Sequence, residues 1–179
     1  MLEIAIAESE WFDEKTQEFV YIPACVLKLE HSLYSVRRWE AAEKRPFISG
    51  KDMEKKDIIR YVRYMTLNEV EPLVYDVLGE KHMQKIIAYI DDNMTATTFS
   101  DIEQKNGRSN ILTAEIIYYW MTVFNIPFEC QYWHLNQLLT LIKVCDRKQN
   151  PPKKPSKSKL MARNARLNKQ RRTKLGSRG

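Results

Sequence analysis

Glycine is scarce in this chain, with five in 179 residues. Phosphate-cradling and dinucleotide-binding turns need closely spaced glycines, so neither a P-loop nor a Rossmann-type turn is present. Cysteine is sparse too. Cys25, Cys130 and Cys145 are odd in number and lack a framework spacing, so they read as reduced thiols of a cytosolic protein. No apolar run approaches the roughly 20 residues of a membrane span. Residues 1–12 lack the basic n-region and small-residue cleavage site of a secretory signal, and none is expected there. No Ser or Cys nucleophile motif occurs. One absence is local: residues 147–179 hold no acidic and no aromatic side chain.

That local absence reorganises the charge. The whole chain carries 29 Lys+Arg and 23 Asp+Glu, net +6. Thirteen of the basic residues fall in 147–179, which leaves 16 basic and all 23 acidic residues in 1–146, net −7. An acidic body of one-domain size is followed by a basic arm. Pro151, Pro152 and Pro155 mark the join as a linker.

Within 1–146 the hydrophobic period changes once. Leu2, Ile4 and Ile6 alternate, and Phe19–Ile22 and Val26–Leu27 follow a polar stretch at Asp13–Thr16. The pattern predicts two or three strands over 1–30, with Pro23 at an edge or strand junction. From residue 31 the spacing is helical. Leu33, Val36 and Trp39 share a face, and Arg45-Pro46 should stop that helix. Ser49 is placed to cap a helix over 52–65 with Met53, Ile58, Val62 and Met65 buried. Asn68 and Glu71 resemble a capping box for a short helix with Pro72 in its first turn, ended by Gly79. Met83, Ile86, Ile87 and Ile90 predict a buried stripe over 80–91, with a break at Asp91-Asp92-Asn93. Residues 94–99 read as extended and 100–110 as an exposed loop. Thr113 should cap a helix to about Phe124. A second helix past Pro127, with Trp133, Leu135, Leu138, Leu139, Ile142 and Cys145 on its face, should pack antiparallel to it. The arm can form a helix from about Leu160, ended by Gly176, although so short a helix is marginal in isolation. The expected class is α+β: an N-terminal β-hairpin or meander, a mostly helical body, and a basic C-terminal extension.

The chemistry-bearing residues form no convincing constellation. Cys130 and His134 are four apart, and Cys145 can be imagined beside them, but structural zinc takes four ligands in paired short spacings. His31 and His82 stand alone in sequence. Asp91, Asp92, Glu40 and Glu43 supply carboxylates, but Asp-Asp-Asn after a helix is more simply a turn. No catalytic residue, metal or cofactor is assigned.

Partner contacts are the better reading. Trp120 and Trp133 are expected in the core. Tyr119 and Tyr132 are the expected surface contacts, because a phenol tolerates a half-wet place. On the arm, Arg163, Arg166, Lys169, Arg171, Arg172 and Lys174 are the candidate contacts. Without aromatic stacking platforms the arm suits protein better than single-stranded nucleic acid, although DNA phosphates remain a second class of partner. An acidic protein surface is the expected dock, the acidic body of the same or a neighbouring copy included.

Four segments carry a resemblance: LKLEHSLYSVRRWEAAEKRPFI (27–48), YIDDNMTATTF (89–99), TAEIIYYWMTVFNIPFECQYWHLNQLLTLIKVC (113–145) and ARNARLNKQRRTKLGSRG (162–179). They resemble a family of small tailed-bacteriophage proteins encoded among virion assembly genes. The 113–145 stretch is the most specific. The resemblance implies a tail protein, often a tail assembly chaperone beside the tape-measure protein. It implies no catalytic residue, and contacts with tape-measure or other phage structural proteins in an oligomer or larger assembly. The setting it implies is the host cytoplasm during assembly. A structural virion subunit whose arm locks its neighbours, and a nucleic-acid-binding packaging or regulatory protein, are the alternatives.

Overall fold

A computed structural model describes residues 1–13, 17–49, 54–97, 111–151 and 157–175. Outside the described residues lie the turn after Asp13, the helix start at 50–53, the end of the 94–99 segment, the 100–110 loop, most of the Pro-rich linker and the stop at Gly176.

The class is α+β. Among the described residues four strands form two antiparallel pairs: β1 (Leu2–Ile6) with β4 (Cys25–Leu29), and between them in sequence β2 (Ser9–Asp13) with β3 (Glu18–Ile22). Ile4 opposes Leu27 and Ile6 opposes Cys25. The alternation in β1 therefore sets one apolar face of that pair into the core, where Ile4, Ile6, Leu27 and Leu29 are buried. Pro23 falls in the junction between β3 and β4, where no ladder hydrogen bond is asked of it.

Among the described residues six helices follow: α1 (Leu33–Glu43), α2 (Lys55–Met65), α3 (Glu80–Asp91), α4 (Ala114–Val123), α5 (Leu135–Gln149) and α6 (Lys157–Leu175). Ser32 caps α1 through the Ser35 amide at 3.2 Å. Lys44, at φ 56°, ends α1 just before Arg45-Pro46. Leu33, Val36 and Trp39 are fully buried. In α2, Val62 and Met65 are fully buried and Ile58 is half-buried. The chain divides into two compact units, Met1–Cys145 and Asp146–Gly179.

Several local expectations are corrected. Ser49 does not cap α2. Its hydroxyl accepts from the Leu112 amide at 2.6 Å, while Glu54 and Asp57 cap α2 reciprocally. Asn68 caps no helix either. It accepts from the Lys28 amide at 2.9 Å and donates to the Val26 carbonyl at 2.8 Å, holding the free edge of β4. The segment beyond Glu71 is a 3₁₀ turn over Pro72–Tyr75, and Gly79 starts α3 instead of ending a helix. In α3, Met83 and Ile86 are buried but Ile87 is exposed. A second 3₁₀ turn, Phe128–Tyr132, occupies what the sequence suggested was a short break. With that turn interposed, the principal neighbour of α4 is α1, not α5.

Candidate protein-binding surface

The first unit holds a buried polar centre that sequence spacing did not reveal. Ser32 bridges to His134, and the Leu135 amide donates to the His31 carbonyl at 2.7 Å. Those contacts bring the two histidine rings, over a hundred positions apart in sequence, to 5.1 Å. His31 is 3% exposed, with Nδ1 2.6 Å from the Tyr61 hydroxyl. His134 donates from Nε2 to the Tyr89 carbonyl at 3.0 Å and accepts at Nδ1 from the Asn136 amide at 3.3 Å. That pair of contacts fixes the neutral tautomer with its proton on Nε2. The Tyr89 hydroxyl donates to Glu30 at 2.7 Å.

Burial decides the protonation of this centre. Desolvation, reinforced by His134, pushes His31 down to about 3. Desolvation also lowers His134, against the pull of the Tyr89 carbonyl and nearby carboxylates. Tyr61 and Tyr89 are pushed upward by burial, with Glu30 adding to both. Two neutral imidazoles and two neutral phenols thus form a hydrogen-bonded core patch that joins α2 and α3 to the β4–α1 junction and the start of α5.

The other candidate ligands and carboxylates do not converge. Among the described residues no group of three His, Cys, Asp or Glu side chains is placed to hold a metal ion. Cys130 is buried in the 3₁₀ turn, where desolvation raises its thiol. Glu40 is buried and accepts from the Phe47 amide at 2.7 Å and the Ala114 amide at 2.8 Å, so it ties α1 to the start of α4. Glu43 pairs with Arg60 at 3.1 Å. Asp92 accepts from the Met94 amide at 2.9 Å, and Asp91 is an exposed helix end.

The exposed aromatics tell a different story. Tyr119 is 65% exposed and Tyr132 57%. Trp120 is half-buried against the core, but Trp133 is 43% exposed, which corrects its expected place inside. Trp133 lies before α5 begins, in extended backbone, so the helical spacing that paired it with Leu135 does not reach it. Phe128 is exposed as well, on the 3₁₀ turn that sequence reading missed. Tyr132 leans on Tyr34 with centroids 5.4 Å apart, and Phe128 lies 6.2 Å from Tyr118. The Tyr118 hydroxyl, donating to Gln131 at 2.7 Å, links these contacts. Among the described residues no ring contact joins Tyr119 to this group. Beside it a cleft of about 350 Å³ is lined by Glu30, Tyr89, Met94, Tyr132, Trp133 and His134.

In the second unit α6 is a 19-residue helix, and its side chains from Met161 to Thr173 are exposed, including Arg163, Arg166, Lys169, Arg171 and Arg172. The side chain of Lys174 lies outside the described set. Among the described residues no helix is long and apolar enough to cross a membrane. No protein-family profile matches the chain, and no curated protein or solved structure matches it.

Proposed function

We propose that this chain is a non-enzymatic bacteriophage tail morphogenesis protein that works through protein–protein contacts, as an assembly chaperone for the tape-measure protein. The supporting observation is the aromatic surface of Phe128, Tyr132 and Trp133 beside an open cleft. It falls within the 113–145 segment that carries the most specific part of the resemblance. Large, rigid aromatic rings with one wet edge suit transient cover of an apolar helical stripe, as in helix-in-groove recognition. In this reading the chain acts in the host cytoplasm, keeping tape-measure helices soluble until tube subunits enclose them.

The test is co-expression of the full chain with the tape-measure protein, read as soluble tape-measure yield. Wild type should raise the yield. Tyr132→Ser combined with Phe128→Ser should abolish the gain with at most a small drop in the urea midpoint, since both rings are exposed and give up only their contacts with Tyr34 and Tyr118. An unchanged yield with wild type sinks the chaperone reading. Mass spectrometry of purified particles addresses the second reading, a structural subunit of the tail or head–tail region. Stoichiometric presence in virions favours that subunit role over a transient chaperone.

A further inference from the structure

Among the described residues nothing covers one face of the β2–β3 pair. Its register sets Glu10 opposite Tyr21 and Phe12 opposite Phe19. Alternation turns Ser9, Trp11, Val20 and Ile22 to one face, where Ile22 is buried. Glu10, Phe12, Phe19 and Tyr21 share the other face, with Phe19 72% and Tyr21 61% exposed. The Phe12 and Phe19 rings meet at 5.0 Å, and the Tyr21 hydroxyl donates to Glu8 at 3.0 Å, so the rings are ordered in place. A two-stranded pair is marginal in water unless something packs on it, and exposed clustered rings mark an interaction surface. Glu10, opposite Tyr21, and Glu8, bonded to the Tyr21 hydroxyl, set two carboxylates among these rings. The face is aromatic and acidic together.

A basic helix is the complement of such a face. The residues of α6 include eight Lys or Arg and no Asp or Glu. Guanidinium groups find both carboxylates and ring faces there, and rings attract them from within about 6 Å. The body already uses this contact: Arg38 stacks over Tyr34 and Tyr64, Arg45 over Trp39, and Arg63 over Tyr75. Exposed Met161 and Leu167 supply apolar contacts between the charges. The like-charged helix gains stability from an acidic dock.

We propose that the Glu8/Glu10/Phe12/Phe19/Tyr21 face is the docking site for the α6 helix of a second copy of this chain. The contact joins different surfaces on the two copies, so it builds exchanged dimers, rings or longer arrays. It goes beyond the chaperone reading and uses a different surface, so either can fail alone.

The test is sedimentation of the full chain across concentration at about 50 mM and about 500 mM salt, where screening separates ionic docking from apolar association. Wild type should self-associate at low salt and dissociate at high salt. Glu8→Arg with Glu10→Arg should weaken association roughly tenfold or more, and Arg163→Glu with Arg166→Glu should do the same. Mixing the two variants, or combining all four changes in one chain, should restore it. Phe19→Ser, which also gives up the ring contact with Phe12, should weaken association with at most a small drop in the urea midpoint.

A wild type that is monomeric at every concentration overturns the proposal, whether the arm then folds back on its own body or stays free. So does a hairpin reversal that leaves association unchanged, or a charge-swapped mixture that fails to recover. If α6 serves duplex DNA instead, arm reversal will abolish DNA binding, hairpin reversal will leave it intact, and no self-association will be seen.

Discussion

The Tyr61 hydroxyl lies 2.6 Å from Nδ1 of His31, with both side chains buried. Helix α2 thereby grips the residue at which the chain leaves β4 for α1. Phe47 packs on the same phenol with ring centroids 4.0 Å apart, so both polar and apolar faces of Tyr61 are engaged.

Tyr61→Phe keeps the ring packing and removes only the hydroxyl. It leaves a buried imidazole nitrogen without its partner, a loss that costs about 1–3 kcal/mol. Urea denaturation should show a lower midpoint with an unchanged slope, since the same surface is exposed on unfolding. An unaltered midpoint would mean that water replaces the hydroxyl.

Acid should destabilise the fold through the histidine pair. Folded His31 is held down to about 3, whereas an unfolded histidine titrates near 6.5. Below about 6.5 the unfolded chain binds protons that the folded chain refuses, so this contribution to stability falls as pH falls. For His31 the loss is about 1.4 kcal/mol for each pH unit, and ends once pH passes below the folded value. His134 is lowered too and acts in the same direction. Glu40, raised by desolvation, works oppositely: its ionisation weakens the fold as pH rises through the carboxylate range. Asp57, which desolvation would raise, is held low instead by the Glu54 amide and Arg45 together, and loses its contribution as pH falls below about 3.8. Urea unfolding at pH 7.5 and pH 5 should therefore differ in midpoint, and His31→Gln should flatten that dependence. Equal midpoints in the wild type would show that the imidazoles reach solvent before the fold opens.

The sequence made α1, α3, α4, α5 and the β character of residues 1–30 legible because each repeats a simple period. Three of its failures share a cause. Ser49, Asn68 and His31 have partners at Leu112, at Val26 and Lys28, and at His134, all remote in the chain. A local pattern such as a capping box describes neighbours only, so side chains recruited for long-range contacts read as caps or as solitary residues. Trp133 failed differently, because two residues of extended backbone break the helical phase before Leu135. Of the exposed rings, Tyr119 and Tyr132 were legible from phenol chemistry as lying at the surface. Phe128 was not, since nothing marked residues 128–132 as a 3₁₀ turn.

Glu40 tests the cost of one buried carboxylate serving two segments. Its oxygens take the Phe47 and Ala114 amides, the latter at the first residue of α4, so it caps that helix from 74 positions away. Thr113 makes no side-chain cap there. Glu40→Ala should cost about 2–4 kcal/mol, two charge-assisted hydrogen bonds being lost at once. Glu40→Gln should be intermediate, because its amide can still accept one of the two. Thermal denaturation ranks the three chains, and equal stability of the Gln and Ala variants would mean that only one bond matters.

Asn136 anchors the end of α3 from α5. Its amide donates to the Ile90 carbonyl at 2.9 Å and the Asp92 carbonyl at 2.8 Å, two acceptors at a helix end that have no partner within the helix. Asn136→Ala removes both donors and should cost about 1–2 kcal/mol. Asn136→Asp should cost more, since it sets a carboxylate against two carbonyl oxygens. The effect should also be local: hydrogen exchange should quicken in the last turn of α3, where the Asp92 amide bonds the Tyr89 carbonyl, and stay unchanged in β2 and β3. Equal exchange in wild type and Asn136→Ala would show that the His134 bond to the Tyr89 carbonyl and the packing of Ile86 hold that end of the helix without Asn136.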